Sequence, residues 1–221
     1  MNPQNRLPLG ATALLLLLCL GTVAAEDSVG VKKGDWIEFN VVTTGTPEEG
    51  HDVTWARMEI LDVQGQDISV NVTTKAANGT FASGVMVLNP AEGKVGVWFI
   101  IPPNLKPGES FYDASENQTV IIEGSEQRTI AGATRTVTHA STPQRIKSWD
   151  QATGVFVESI DVLPDYTLNA TAYATNLWSV KILGVDAGVF YVVIGFVAVV
   201  TVTVALAIGL KRKPKKNQTQ T

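Results

Sequence analysis

The sequence predicts an all-β extracellular domain, an antiparallel meander built as a half-barrel or a sandwich, followed by one transmembrane α-helix near the carboxyl end. Three observations carry this reading. Short runs rich in Val, Ile, Thr and aromatics alternate with turn clusters through the middle of the chain. A 24-residue run without a charge, residues 187–210, follows them. The charges themselves are segregated: all 21 acids lie between Glu26 and Asp186 beside 11 of the 17 Lys and Arg, a net of −10, whereas the tail after Leu210 is purely basic. With 45% hydrophobic and 17% charged residues over 221 positions, the chain has the composition to fold.

Residues 1–25 read as a secretory signal peptide: Arg6 near the start, the apolar core ATALLLLLCL, and small residues Val23 and Ala25 at the cleavage positions. Ten or so apolar residues are too few to cross about 30 Å of hydrocarbon. The single cysteine, Cys19, lies in that core. Its removal leaves no thiol, which excludes disulfide scaffolds, thiolate metal sites and cysteine nucleophiles from the mature chain.

Residues 26–180 form the expected extracellular β domain. Its candidate strands are GDWIEFNVV, WARMEILDV, DISVNVTT, FASGVMVL, KVGVWFII, QTVIIE, ATRTVTHA, GVFVESIDV and YTLNATAYA. Ile68, Val70 and Val72 against Ser69, Asn71 and Thr73 alternate as a half-buried strand does, and Leu168, Ala170 and Ala172 repeat the pattern. Val95 to Ile101, apolar on both faces, is the expected central strand. Short connectors such as QGQD, KAANG and DQATG favour antiparallel hairpins over long parallel crossovers. In SWDQATGVFVES, Asp150 is placed to accept backbone hydrogen bonds and Gly154 to take a positive φ, delivering Trp149 and Val155 to adjacent strands. Pro102 and Pro103 end the Val95 run, and Pro107-Gly108 makes a further turn.

Residues 181–186 form a short tether. The charge-free run 187–210 would be about 36 Å long as a helix, enough to span a bilayer with some tilt. Lys211, Arg212, Lys213, Lys215 and Lys216, in the tail 211–221, anchor that topology with the carboxyl end in the cytoplasm and the acidic body outside. The lipid bilayer is therefore one expected partner, and Trp178 and Tyr191 suit its outer interfacial belt. An acidic body argues against nucleic acid, which calls for clustered Lys and Arg.

Four Asn-x-Ser/Thr sequons fall in the outer domain, at Asn71, Asn78, Asn117 and Asn169, and are the glycosylation candidates. The stretch DASENQTVIIEG spaces Asp113, Ser115 and Asn117 like a looped calcium site, but Gln118 and Gly124 stand where the sharp-turn glycine and the bidentate glutamate belong. Two histidines, His51 and His139, are too few for a multi-histidine metal site, and no G-x-S-x-G elbow or phosphate-binding loop is present. Asp150, Glu158 and Asp161 are candidates for paired carboxylates of the kind that hydrolyse glycosides. Trp36, Trp55, Trp98 and Trp149 are expected in the core, or else lining a ligand groove.

Taken in order, GDWIEFNV, VWFIIPPNLKPGESF, AGATRTVTHA, SWDQATGVFVES and TNLW resemble a layout of archaeal-type, single-pass membrane-anchored surface proteins of unassigned function. More remotely, the D-x-x-T-G hairpin resembles LolA-like half-barrels. That second resemblance implies a curved antiparallel sheet with a concave apolar face that holds lipid chains, and it transfers no functional residue. The expectation is a cell-surface binding or structural glycoprotein, holding a lipid or other apolar ligand or meeting a surface protein partner, with no catalytic residue, cofactor or metal. A carbohydrate-active surface enzyme is the alternative.

Overall fold

The computed structural model describes residues 29–182 and 185–211. The expected signal peptide and the basic residues Arg212, Lys213, Lys215 and Lys216 lie outside them.

Four strands follow one another as a meander: β1 (Trp36–Gly45), β2 (Val53–Gln64), β3 (Asp67–Ala76) and β4 (Phe81–Leu88). Residues 89–123 then form a long insertion that opens with a single 3-10 turn, Pro90–Glu92, and contains a small hairpin, β5 (Ser110–Asp113) and β6 (Gln118–Ile121). A second meander returns through β7 (Gly124–Ile130), β8 (Ala133–Thr142), β9 (Arg145–Asp150), β10 (Phe156–Val162) and β11 (Tyr166–Thr175). β11 pairs antiparallel with β1, from Ile37↔Thr175 to Gly45↔Tyr166, which joins the two meanders into one sheet of order β4-β3-β2-β1-β11-β10-β9-β8-β7. All its pairings are antiparallel. Among the described residues its edges β4 and β7 do not pair with each other, so the strands form one continuous, open antiparallel sheet.

Alternation decides which face is buried. Ile37 and Phe39 of β1, Met58 and Ile60 of β2, and Ile68 and Val70 of β3 point to the inner face and are buried, as the period-two pattern requires. Ala172 does the same on β11.

The expected central strand at Val95 to Ile101 is not a strand. Gly96, Val97 and Trp98 all take positive φ, 55°, 52° and 66°, and Phe99 N–H turns back to the Val95 carbonyl at 2.8 Å. The run is apolar all round because it is laid over the inner face of the sheet as a plug: Val95, Trp98, Ile100 and Ile101 are buried while Val97 is left half exposed. Its backbone is satisfied from the sheet beneath, since Trp149 Nε1 donates to the Trp98 carbonyl at 2.9 Å and Phe156 N–H to the Phe99 carbonyl at 3.0 Å.

The Asp150 turn forms as expected and carries more than expected. Asp150 Oδ2 accepts from Thr153 N–H (3.0 Å) and Oγ1 (2.8 Å), and both carboxylate oxygens take a bidentate pair from Arg135 at 2.7 and 3.0 Å. Gly154 has φ 70°, and a Cβ there would meet the Ile101 carbonyl oxygen at 2.1 Å, so the plug packs directly on this turn.

After β11 a two-residue hairpin, β12 (Lys181–Ile182) with β13 (Val185–Asp186), leads into the helix α1 (Ala187–Lys211). Thr201 and Thr203 return their hydroxyls to the carbonyls of Val197 and Val199, both at 2.8 Å. Side chains of α1 are described for residues 188–203, and among the described residues no helix is long and apolar enough to cross a membrane. The span expected from the sequence continues past them to Leu210.

Candidate functional site

The plug covers only part of the inner face. Over β8, β9 and β10 the packing is closed: Trp98 meets Trp149 at a ring-centroid distance of 6.0 Å and Phe111 edge-on at 5.6 Å. Trp98 Nε1 donates to Asp113 Oδ2 at 2.6 Å, and Asp113 Oδ1 accepts from Ser115 N–H and Oγ at 2.9 and 2.6 Å. Burial raises the Asp113 carboxyl, but the bonds from Ser115 and then Trp98 outweigh it and hold the group below the ordinary aspartate range. The residues that resemble a calcium loop thus cap a hairpin turn and hold a tryptophan.

Beyond Phe99 the inner face is uncovered and forms a cleft of about 160 Å³. Phe39 and Val41 of β1, Ala56 and Met58 of β2, Val72 of β3, Phe156 of β10 and Leu168 and Ala170 of β11 line it, with Phe99 of the plug as one wall. Phe156 stacks on Phe39 at 4.2 Å and on Phe99 at 5.4 Å, which stiffens this end. The groove aromatics are therefore phenylalanines. Trp98 and Trp149 are core residues as expected, whereas Trp36 and Trp55 are on the outer face. There the Arg57 guanidinium lies 4.6 Å from the Trp36 ring, and Trp55 Nε1 donates to Tyr173 Oη at 3.1 Å. The Arg135 guanidinium lies 4.9 Å from the Trp178 ring, and Trp178 Nε1 donates to the Ile130 carbonyl.

Two cations border the cleft, Arg57, which is paired with Glu38 at 2.9 Å, and Lys147. Lys147 on β9 is 2% exposed, and its ammonium donates to the Val97 carbonyl at 2.7 Å while lying 5.0 and 5.3 Å from the Phe156 and Phe99 rings. Desolvation pushes it down to about 8; Asp161, 3.9 Å away, opposes that fall and Arg145 adds to it. Sequence reasoning missed this residue, because a lysine between Ile146 and Ser148 reads as the solvated side of a strand.

The three candidate carboxylates are not brought together. Glu158 and Asp161, three residues apart on β10, fall on opposite faces. Glu158 is bound by Arg128 at 2.7 Å, Asp161 by Arg145 at 2.9 Å and Asp150 by Arg135. His51 meets Tyr166 Oη at 3.1 Å in the β1–β2 loop, while His139 lies on β8. Among the described residues no group of three or more His, Cys, Asp or Glu is arranged to hold a metal ion.

The sequons are on the outer face or in turns. Asn71 of β3 is half-buried and Asn169 of β11 exposed. Asn78 caps the β3–β4 turn by accepting from Thr80 N–H at 2.9 Å, and Asn117 in the β5–β6 turn accepts from Tyr112 Oη at 2.8 Å. Lys211, of the basic cluster, is the last residue of α1.

No family model matches this chain, and no curated protein matches its sequence. Among solved structures it is similar to a siderocalin, Ex-FABP, described as functioning through dual ligand specificities. That likeness has 9% identity and a TM-score of 0.26 over 64% of this chain and 73% of the other. It is too slight to carry a ligand across.

Proposed function

We propose that this protein is a membrane-anchored, cell-surface binding protein that holds an apolar ligand, such as a lipid chain, in the cleft on the inner face of its sheet. The observation that carries the reading is the cleft itself: a wall of Phe, Val, Met, Leu and Ala side chains left uncovered where the plug stops. Apolar surface in a concavity with few polar groups is the usual form of a small-molecule site. The reading is of a binding protein and not of an enzyme, because each candidate carboxylate is already taken by its own arginine.

The anchor rests on the sequence of α1 and on its surroundings. Val189, Val192, Phe196 and Val199 are more than half exposed, and no polar stripe runs down the described part of the helix. A helix that is apolar all round belongs in a protein core or in lipid. The hydroxyls of Thr201 and Thr203 are satisfied within the helix, as lipid demands. With the basic residues from Lys211 onward inside, the sheet faces outward.

The buried core of the described residues runs from Val31 to Ala172, so a fragment of residues 26–180 contains it and is expected to fold without the helix. Native mass spectrometry of that fragment, released from its own host's membranes by proteolysis, is expected to show a retained ligand mass besides any glycans on Asn71, Asn78, Asn117 or Asn169. A folded fragment that carries no ligand and leaves the neutral apolar dye Nile red unbound contradicts the reading.

A further inference from the structure

The cleft wall is largely apolar, and at one end of it stands the buried Lys147 ammonium. Lys147 reaches it from β9, with Arg145 two residues away on the same face. Against these two cations stands Asp161 of β10, whose Oδ1 is occupied by Arg145 Nε at 2.9 Å. Arg145 also donates to Glu116 of the β5–β6 turn at 3.1 Å, so its charge is shared between two carboxylates. Both carboxylates are thus engaged by Arg145, and the Lys147 ammonium keeps only the longer approach to Asp161 at 3.9 Å.

The ammonium has donors to spare. It carries three, and one goes to the Val97 carbonyl. Asp161 Oδ2, at 3.9 Å, is beyond hydrogen-bond length. Burying an incompletely paired ammonium in an aromatic wall is costly, and a chain that only had to pack Phe99 and Phe156 would place a Met or Leu there at lower cost. A negatively charged ligand group completes the set that the protein leaves open.

We infer that the ligand is a single-chain amphiphile with an anionic head, a carboxylate or a phosphate, whose chain lies along Phe39, Val41, Val72 and Leu168 and whose head ends at Lys147. This deepens the apolar-ligand reading above and rests on it.

The test is displacement of Nile red from fragment 26–180 by four probes of equal chain length, dodecanoate, dodecyl phosphate, dodecanol and dodecylamine, each below its micellar concentration near neutral pH. The two anions are expected to displace the dye at concentrations about tenfold below dodecanol, the worth of one charge-assisted hydrogen bond, with dodecylamine weakest. Which anion is stronger separates a fatty-acid ligand from a phosphate one. In Lys147→Met the anions should fall to the level of dodecanol while the dye still binds, and Lys147→Arg should keep the preference for anions.

Equal displacement by dodecanol and dodecanoate in the unaltered fragment overturns the inference and leaves the cleft reading standing. Failure of the dye and all four probes to bind overturns the cleft reading itself. Because the comparison of acid with alcohol is made first on the unaltered protein, a misfolded variant does not spoil it.

Discussion

The inner face of one sheet is used in two ways. Over β8 to β10 the plug is driven home, with Trp98, Trp149 and Phe111 interlocked and every polar edge of the indoles bonded. At one end of β1, β2, β3 and β11, around Val41, Ala56, Val72, Leu168 and Ala170, the same face, built from the same kind of alternating apolar residues, is left open, while Ile37, Ile60, Ile68 and Val70 further along it are buried. The difference teaches that the cleft is not a defect of packing. Trp98, Trp149 and Phe111 interlock where the plug lands, whereas beyond it Phe39 and Phe156 give way to small or medium residues, Ala56, Val72, Leu168 and Ala170. Phe99 marks the border.

The sharpest way to break this contrast is Trp98→Ala. It removes the largest side chain from the closed half and the donor to Asp113, and should cost about 4 kcal/mol, read as a lowered urea midpoint of fragment 26–180. A loss under about 1 kcal/mol, as at an exposed site, would mean that the plug is not packed as described.

The next effect belongs to the border. Lys147 has a folded value of about 8 against 10.5 when unfolded, so the unfolded chain binds more protons between these limits. Stability contributed by this group should therefore rise with pH from about 8 to 10.5, and be at its lowest below 8, where the folded state must bury the charge. The groups facing it are Asp161 and, beyond that, Arg145; the plug presents the uncharged Val97 carbonyl and Phe99. Without ligand, Lys147→Met should gain about 3 kcal/mol near neutral pH and lose that rise. A melting-temperature series across the range, run on both forms, checks it; parallel curves would refute it.

The smallest effect on stability is expected in the open half, where Ala170→Phe fills space and not core. Its midpoint should move by less than about 1.5 kcal/mol while Nile red binding is lost. Destabilisation as large as that of Trp98→Ala would show that this half is close-packed after all.

Several strands were legible because their chemistry alternates. Ile68 to Thr74 and Leu168 to Ala172 lie where period two puts them, and the Asp150–Gly154 turn forms because its residues can satisfy backbone groups locally. β9 was hidden for the opposite reason. In RIKSWD the inward residues are Arg145, Lys147 and Trp149, and two cations on the core face erase the pattern that marks a strand. β7, GSEQRTI, is a polar edge strand with little apolar signal. The run at 94–101 misled because continuous apolarity specifies burial and not conformation.

What the sequence alone determined was local: strand alternation, turn chemistry, the segregation of charge and the unbroken apolar run before the basic tail, all properties that neighbours in the chain decide between themselves. Only the tertiary structure decided where the plug stops, which lysine it buries and which arginine takes each carboxylate. Those outcomes depend on contacts between residues as far apart as Val97 and Lys147, whose meeting is fixed by the register of strands and by no pattern within either segment.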